Sequence, residues 1–166
     1  VWQTFSEARP GQIPPDGAGL NPALVTPWMA IHPPVLFIGY ASAAIPAAMA
    51  LSALLRGEIS TWAGRARYWV VFSVLMLGLG NILGSVWAYS ILGWGGYWAW
   101  DPVENSSLIP WLLSIILLHV MLIQKRTGSL TRLALTLALA YPVLVFFGTY
   151  LTRSGIMIDF SVHSYS

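Results

Sequence analysis

Three histidines are the first candidates for chemistry in this sequence, and each has a different setting. His32 stands directly before Pro33 and Pro34, at the mouth of the first long apolar block. His163 lies in the C-terminal tail, and His119 lies inside an apolar block. An ionisable side chain at membrane depth is costly and is a functional candidate by default. A neutral imidazole there offers a nitrogen lone pair of the kind haem iron accepts. It is equally suited to bonding a neighbouring helix, and the sequence leaves both readings open. His32 and His163 come from opposite ends of the chain, so two imidazoles could bracket one iron. For each of them a plain surface histidine is the blander reading.

A second cluster is the run Gly93-Trp94-Gly95-Gly96-Tyr97-Trp98-Ala99-Trp100-Asp101. Trp and Tyr gather at membrane interfaces as belt residues. That explains one or two rings but not the glycines. Gly93, Gly95 and Gly96 allow sharp turns or close approach of a flat ligand. Aromatic faces over such a turn could form a platform for a planar apolar macrocycle. Asp101, Pro102 and Glu104 have the spacing of a helix start, with Asp101 as cap, Pro102 at the first position and Glu104 at the third. We read the two carboxylates as a capping box rather than a catalytic pair. Arg153 ends the last apolar block. It suits a carboxylate such as a haem propionate, and it also suits a snorkelling membrane anchor.

The elements that position these groups follow from composition. The chain has 166 residues, of which 57% are hydrophobic and 8% charged. Soluble domains carry about 25% charged residues, so this chain cannot coat a globular surface. Four apolar blocks, about 34–55, 68–92, 102–124 and 133–152, each match the roughly 20 residues of a spanning helix. None alternates with a period of two, which argues against a membrane barrel. The expected fold is all-α: a polytopic integral membrane protein of about four transmembrane helices with a Trp-rich outer loop. Residues 1–31 form an outer-side segment with little regular structure, 32–152 the helical region, and 153–166 an outer tail. Pro110 should kink the third helix. Gly80 with Gly84, and Ala43 with Ala47, have the small-xxx-small spacing of close helix contacts, and Asn81 lies beside the first pair.

Arg56, Arg65, Arg67, Lys125, Arg126 and Arg132 are six of the eight basic residues, and they fall in two short loops on one side. That side should be cytoplasmic, or the matrix side in an organelle. The outer side, which carries residues 1–31, the 93–101 loop and the tail, would then be periplasm or intermembrane space, at a bacterial inner membrane or a mitochondrial one. A net charge of +2 gives no support for nucleic-acid binding. The chain has no cysteine, so disulfides and thiolate sites within it are excluded and any thiol chemistry belongs to a partner. It begins at Val1 and is expected to be a piece of a longer protein.

The run from Trp94 through Trp98-Ala99-Trp100-Asp101-Pro102-Val103-Glu104-Asn105 to Ser107 resembles the WWD signature of the haem-handling proteins of cytochrome c biogenesis, and within them the CcmF branch. His32-Pro33-Pro34-Val35-Leu36-Phe37-Ile38-Gly39-Tyr40, Thr152-Arg153-Ser154-Gly155 and Ser161-Val162-His163 resemble other motifs of that branch. The resemblance runs from about Leu20 to Ser166. It implies that His32 and His163 hold haem in transit against a surface built from Trp94, Gly95, Gly96, Trp98, Trp100 and Asp101. It implies that His119 ligates a resident haem b together with a histidine beyond Ser166.

The implied activity is that of a haem lyase subunit. Haem comes from the chaperone CcmE, and apocytochrome c from a CcmH-type thiol partner. Thioethers then form to the substrate's Cys-x-x-Cys-His thiols. The remainder of the CcmF protein and membrane lipid would surround the chain. Two alternatives stay open: a CcmC-like haem carrier without ligation activity, and a structural membrane subunit whose aromatics are only a belt.

Overall fold

The structure, a computed structural model, describes residues 25–92, 95–157 and Ser161. Among the described residues there are five α-helices and no strand. They are α1 (Pro27–Ser42), α2 (Ala44–Arg56), α3 (Trp62–Ile91), α4 (Pro102–Thr127) and α5 (Thr131–Arg153). Together α1 and α2 make one apolar span, so four spans are long and apolar enough to cross a membrane. Large apolar side chains such as Leu75, Ile82 and Phe146 are exposed on their flanks. That pattern suits helices whose solvent is lipid or further protein.

The first span starts earlier than its apolar block suggests. Thr26 caps it by accepting from the Met29 amide at 3.3 Å, and Pro27 occupies the first helical position. Residues 27–31, expected to be irregular, are therefore helical. His32 lies within α1 rather than before it, and the helix runs on through Pro33 and Pro34. The break comes at Ala43. Pro46 has no amide proton to give Ser42, and its ring crowds that carbonyl. The Ala43 amide turns instead to the Tyr40 carbonyl at 3.1 Å.

Small residues bring the helices together. Alanines 43, 50, 66, 134 and 138 are buried around Leu77, Leu117, Met121 and Tyr141. In a bilayer, association rests on close packing and interhelical hydrogen bonds. Both occur here: a Cβ on Gly39 would lie 2.6 Å from Leu77 Cδ2, and the Ser42 and Ser73 hydroxyls meet at 2.6 Å.

Pro110 lies inside α4, which continues past it without interruption. It leaves the Ser106 carbonyl without its usual helical donor. Gly148 of α5 packs against that same carbonyl, where a Cβ would come within 2.9 Å. The chain reverses between α4 and α5 through Gly128 and Leu130, both left-handed. Within the bundle, α1 packs chiefly on α3, α4 on α5 and α3, and α2 on α5 and α3.

Candidate functional site

The start of α4 is a fully built capping box. Asp101 Oδ1 accepts from the Val103 amide at 2.8 Å. Glu104 Oε2 accepts from the amides of Ala99 at 2.9 Å and Asp101 at 3.3 Å. Asn105 adds two bonds to the same loop. Its Nδ2 donates to the Trp100 carbonyl at 3.0 Å, and its Oδ1 accepts from Trp98 Nε1 at 3.3 Å. The carboxylates are thus structural, as the spacing suggested, and they fix the aromatic loop from below.

Two backbone features complete that loop. Gly95 is left-handed at φ 76, as a tight turn requires, and Trp100 is left-handed at φ 59. A bulky residue in that region is strained. The four bonds from Glu104 and Asn105 to residues 98–101 hold it there. Trp100 and Tyr97 are exposed, and Tyr97 stacks on Tyr89 at 4.3 Å with nearly parallel planes. Asp101 Oδ2 also accepts from Ser161 Oγ at 2.7 Å, which ties the C-terminal tail to the head of α4. Trp94 and His163 lie outside the described residues.

His32 reaches across from α1 to α3. Its Nδ1 donates to the Gly80 carbonyl at 2.8 Å. A carbonyl can only accept, so Nδ1 carries the proton and Nε2 the lone pair. Such a bond from the far nitrogen is what orients a ligating imidazole. The ring lies against Gly84, where a Cβ would stand 2.7 Å from His32 Cε1. One turn away, a Cβ on Gly80 would stand 3.0 Å from Leu36 Cα. The glycine pair is therefore a close helix contact, as expected, and also the seat of a histidine, which the spacing did not reveal.

His32 lines a cavity of about 340 Å³ between α1, α3, α4 and α5. Phe37, Trp87 and Trp98 give it aromatic walls, and Arg153 lies at its edge. Tyr40, Asn81 and Ser107 supply polar groups deeper in. Ser107 Oγ donates to Asn81 Oδ1 at 2.6 Å, while Asn81 Nδ2 is buried with no partner among the described residues. Trp87 was not noticed in the sequence, and Phe37, Tyr40 and Ser107 only inside longer motifs. Asn105 was noticed only as part of a motif.

His119 lies within α4, as its apolar block implied. It is exposed rather than buried, on the same flank as Leu112, Ile116 and Ile123. Its Nδ1 donates to the Ile115 carbonyl one turn back, at 2.7 Å. The lone pair is again on Nε2. Trp111 of the same helix turns to α3 and donates to the Val74 carbonyl at 3.0 Å. Counting from Pro102, His119 lies about 26 Å down the axis of α4, and it does not line the cavity of His32. Among the described residues no group of three or more His, Asp or Glu side chains could hold a metal ion.

The sequence matches the family described as Cytochrome C assembly protein over residues 3–158. The chain belongs to that family. Among its relatives, the cytochrome c-type biogenesis protein CcmF of Pseudomonas aeruginosa is 42% identical over 163 residues, covering 98% of this chain and 24% of the relative. CcmF of Escherichia coli K12 is 41% identical, covering 98% of this chain and 25% of the relative. The probable cytochrome c-type biogenesis protein NrfE of Escherichia coli K12 is 43% identical over 152 residues, covering 91% and 27%. A solved structure titled Cytochrome c Heme Lyase CcmF superposes with a TM-score of 0.67 at 40% identity, over 79% of this chain and 22% of that one. The chain thus spans about a quarter of the length of the curated relatives it matches. The family match covers nearly the whole chain, and the four apolar spans are those of an integral membrane protein.

Proposed function

We propose that this chain is the haem-holding part of a cytochrome c haem lyase, with the cavity beside His32 as its outer, transit-haem site. The observation that supports it is an assembly of distant residues. His32 of α1, oriented by Gly80 of α3, lines the same cavity as Trp98, which Asn105 of α4 holds. The residues suit haem: an imidazole with its lone pair on Nε2, aromatic walls for the macrocycle, and an arginine for a propionate. His163 would supply a second imidazole from the tail that Ser161 anchors. Trp94, Gly95, Gly96, Trp100 and Asp101 would complete the surface around it.

Haem bound there presents two vinyl groups. The addition of a cysteine S–H across each gives a thioether with no net redox change. The cysteines belong to the Cys-x-x-Cys-His segment of apocytochrome c, since this chain has none. The contribution of this chain is positional. Gly84 and Gly80 set the imidazole, and Glu104 and Asn105 set the aromatic loop. A CcmE-type chaperone would deliver haem and a CcmH-type partner would deliver the peptide. The basic loops would face the cytoplasm, and the cavity the periplasm or intermembrane space. His119, exposed on α4, would be one ligand of a resident haem b whose other ligand lies outside this chain.

The test is the reduced-minus-oxidised absorbance spectrum of the intact protein, with and without haem delivered by the chaperone. His119→Ala should abolish the resident b-type signal. His32→Ala combined with His163→Ala should keep that signal and lose capture of delivered haem. Identical spectra and capture in all three proteins would refute the assignments and favour a structural role.

A further inference from the structure

A second cavity, of about 540 Å³, lies at the opposite end of the bundle, between α2 and the start of α3. It is well within the range of small-molecule sites. Its wall along α2 is apolar, with Ala44, Ile45, Ala48 and Met49 among the lining residues. Its other end is cationic, where Arg56 closes α2 and Arg65 lies near the start of α3. Glu58 is also present, but among the described residues it forms no ion pair with either arginine.

Three observations at that end call for an anion. Trp62 lines the cavity and is only 4% exposed, yet its indole N–H has no acceptor among the described residues. A buried donor left unpaired is costly. The head of α3 is uncapped: Thr61 makes no side-chain cap bond, and the first turn has no acidic residue. The amides of the helix start and the positive end of its dipole therefore meet no acidic side chain within the first turn, and among the described residues Glu58 makes no bond to them. Arg65 and Arg67 add positive charge to that end, which is the unfavourable placement unless an anion offsets it.

We infer that this cavity holds an anionic phospholipid. Its phosphate would lie between Arg56 and Arg65, at the head of α3 beside Trp62. One acyl chain would follow the apolar wall of α2. Arginines at one end and an apolar wall at the other match an amphiphile better than a free anion. Basic pockets between transmembrane helices on the positively charged side are where such headgroups bind. This site is independent of the haem cavity.

The experiment uses the intact protein in phosphatidylcholine nanodiscs. These carry a trace of phosphatidylglycerol or of phosphatidylcholine, each with a photoreactive acyl chain. Labelled peptides are mapped by mass spectrometry. Two basic groups, each worth about fivefold at a membrane surface, lead us to expect a preference of roughly 25-fold for phosphatidylglycerol at residues 44–65. Arg56→Gln with Arg65→Gln should bring the two lipids to parity. Trp62→Phe keeps the ring and both charges, and should cut labelling by about fivefold through one lost hydrogen bond. Equal labelling of the wild type by both lipids, or no label in residues 44–65, overturns the site. If the double variant does not accumulate, undiminished labelling of Trp62→Phe overturns it.

Discussion

His32 and His119 make the same bond in two different ways. Each donates from Nδ1 to a helix carbonyl, so each carries its lone pair on Nε2. His32 takes its carbonyl from another helix, 48 residues away, and rests on a glycine of that helix. His119 takes its carbonyl from its own helix, four residues back, and its flank is exposed. The outer histidine is therefore positioned by tertiary structure within this chain. His119 is positioned, among the described residues, only by its own helix. On the function proposed above, the difference separates a site assembled here from half of a site.

The contrast can be broken most sharply at Gly84. Gly84→Val places side-chain atoms where the His32 ring lies. Overpacking of this kind costs roughly 1–3 kcal/mol. It should lower the thermal midpoint and abolish haem capture at the outer site. The spectrum attributed to His119 should stay as in the wild type.

Next in size is Glu104→Ala, which removes the acceptor for two backbone amides. Loss of a cap costs about 1–2 kcal/mol. Limited proteolysis should become faster between Trp98 and Asp101, with little change elsewhere.

Removing the histidines themselves should sharpen the comparison. His32→Ala loses an interhelical bond and should destabilise the protein by about 1 kcal/mol. His119→Ala loses only a bond within its own helix and should stay within about 0.5 kcal/mol. Denaturation in matched detergent would measure both, and equal losses would erase the distinction. A similarly small effect is expected from Ser161→Ala. It frees the tail from Asp101 at a cost below about 1 kcal/mol, visible as faster exchange at the tail amides.

What the sequence revealed was local. Asp101, Pro102 and Glu104 lie within one turn, so their spacing alone implies the capping box. The four apolar blocks imply four spans because lipid demands length and apolarity, and both can be counted. The start of the first span was misplaced because Pro33 and Pro34 look like a boundary. The true signal was Thr26 followed by Pro27, a cap and a first-turn proline.

The contacts of His32 were not legible, since the Gly80 carbonyl enters only once α1 and α3 are in register. Nor was the exposure of His119. Helical spacing says which residues share a face, but not which face meets a neighbour. Trp111 shows the same limit, because nothing in its spacing says that its indole turns to Val74.

The break at Ala43 divides one crossing into two halves with different chief partners. The outer half, α1, carries His32 and meshes with α3, while the inner half, α2, meshes mainly with α5 and α3. One residue inserted at Ala43 would turn α1 by about 100° relative to α2. His32 would swing off Gly84 while the inner half kept its grip on the bundle. The register set at Ala43 thus decides whether His32 meets Gly84 at all.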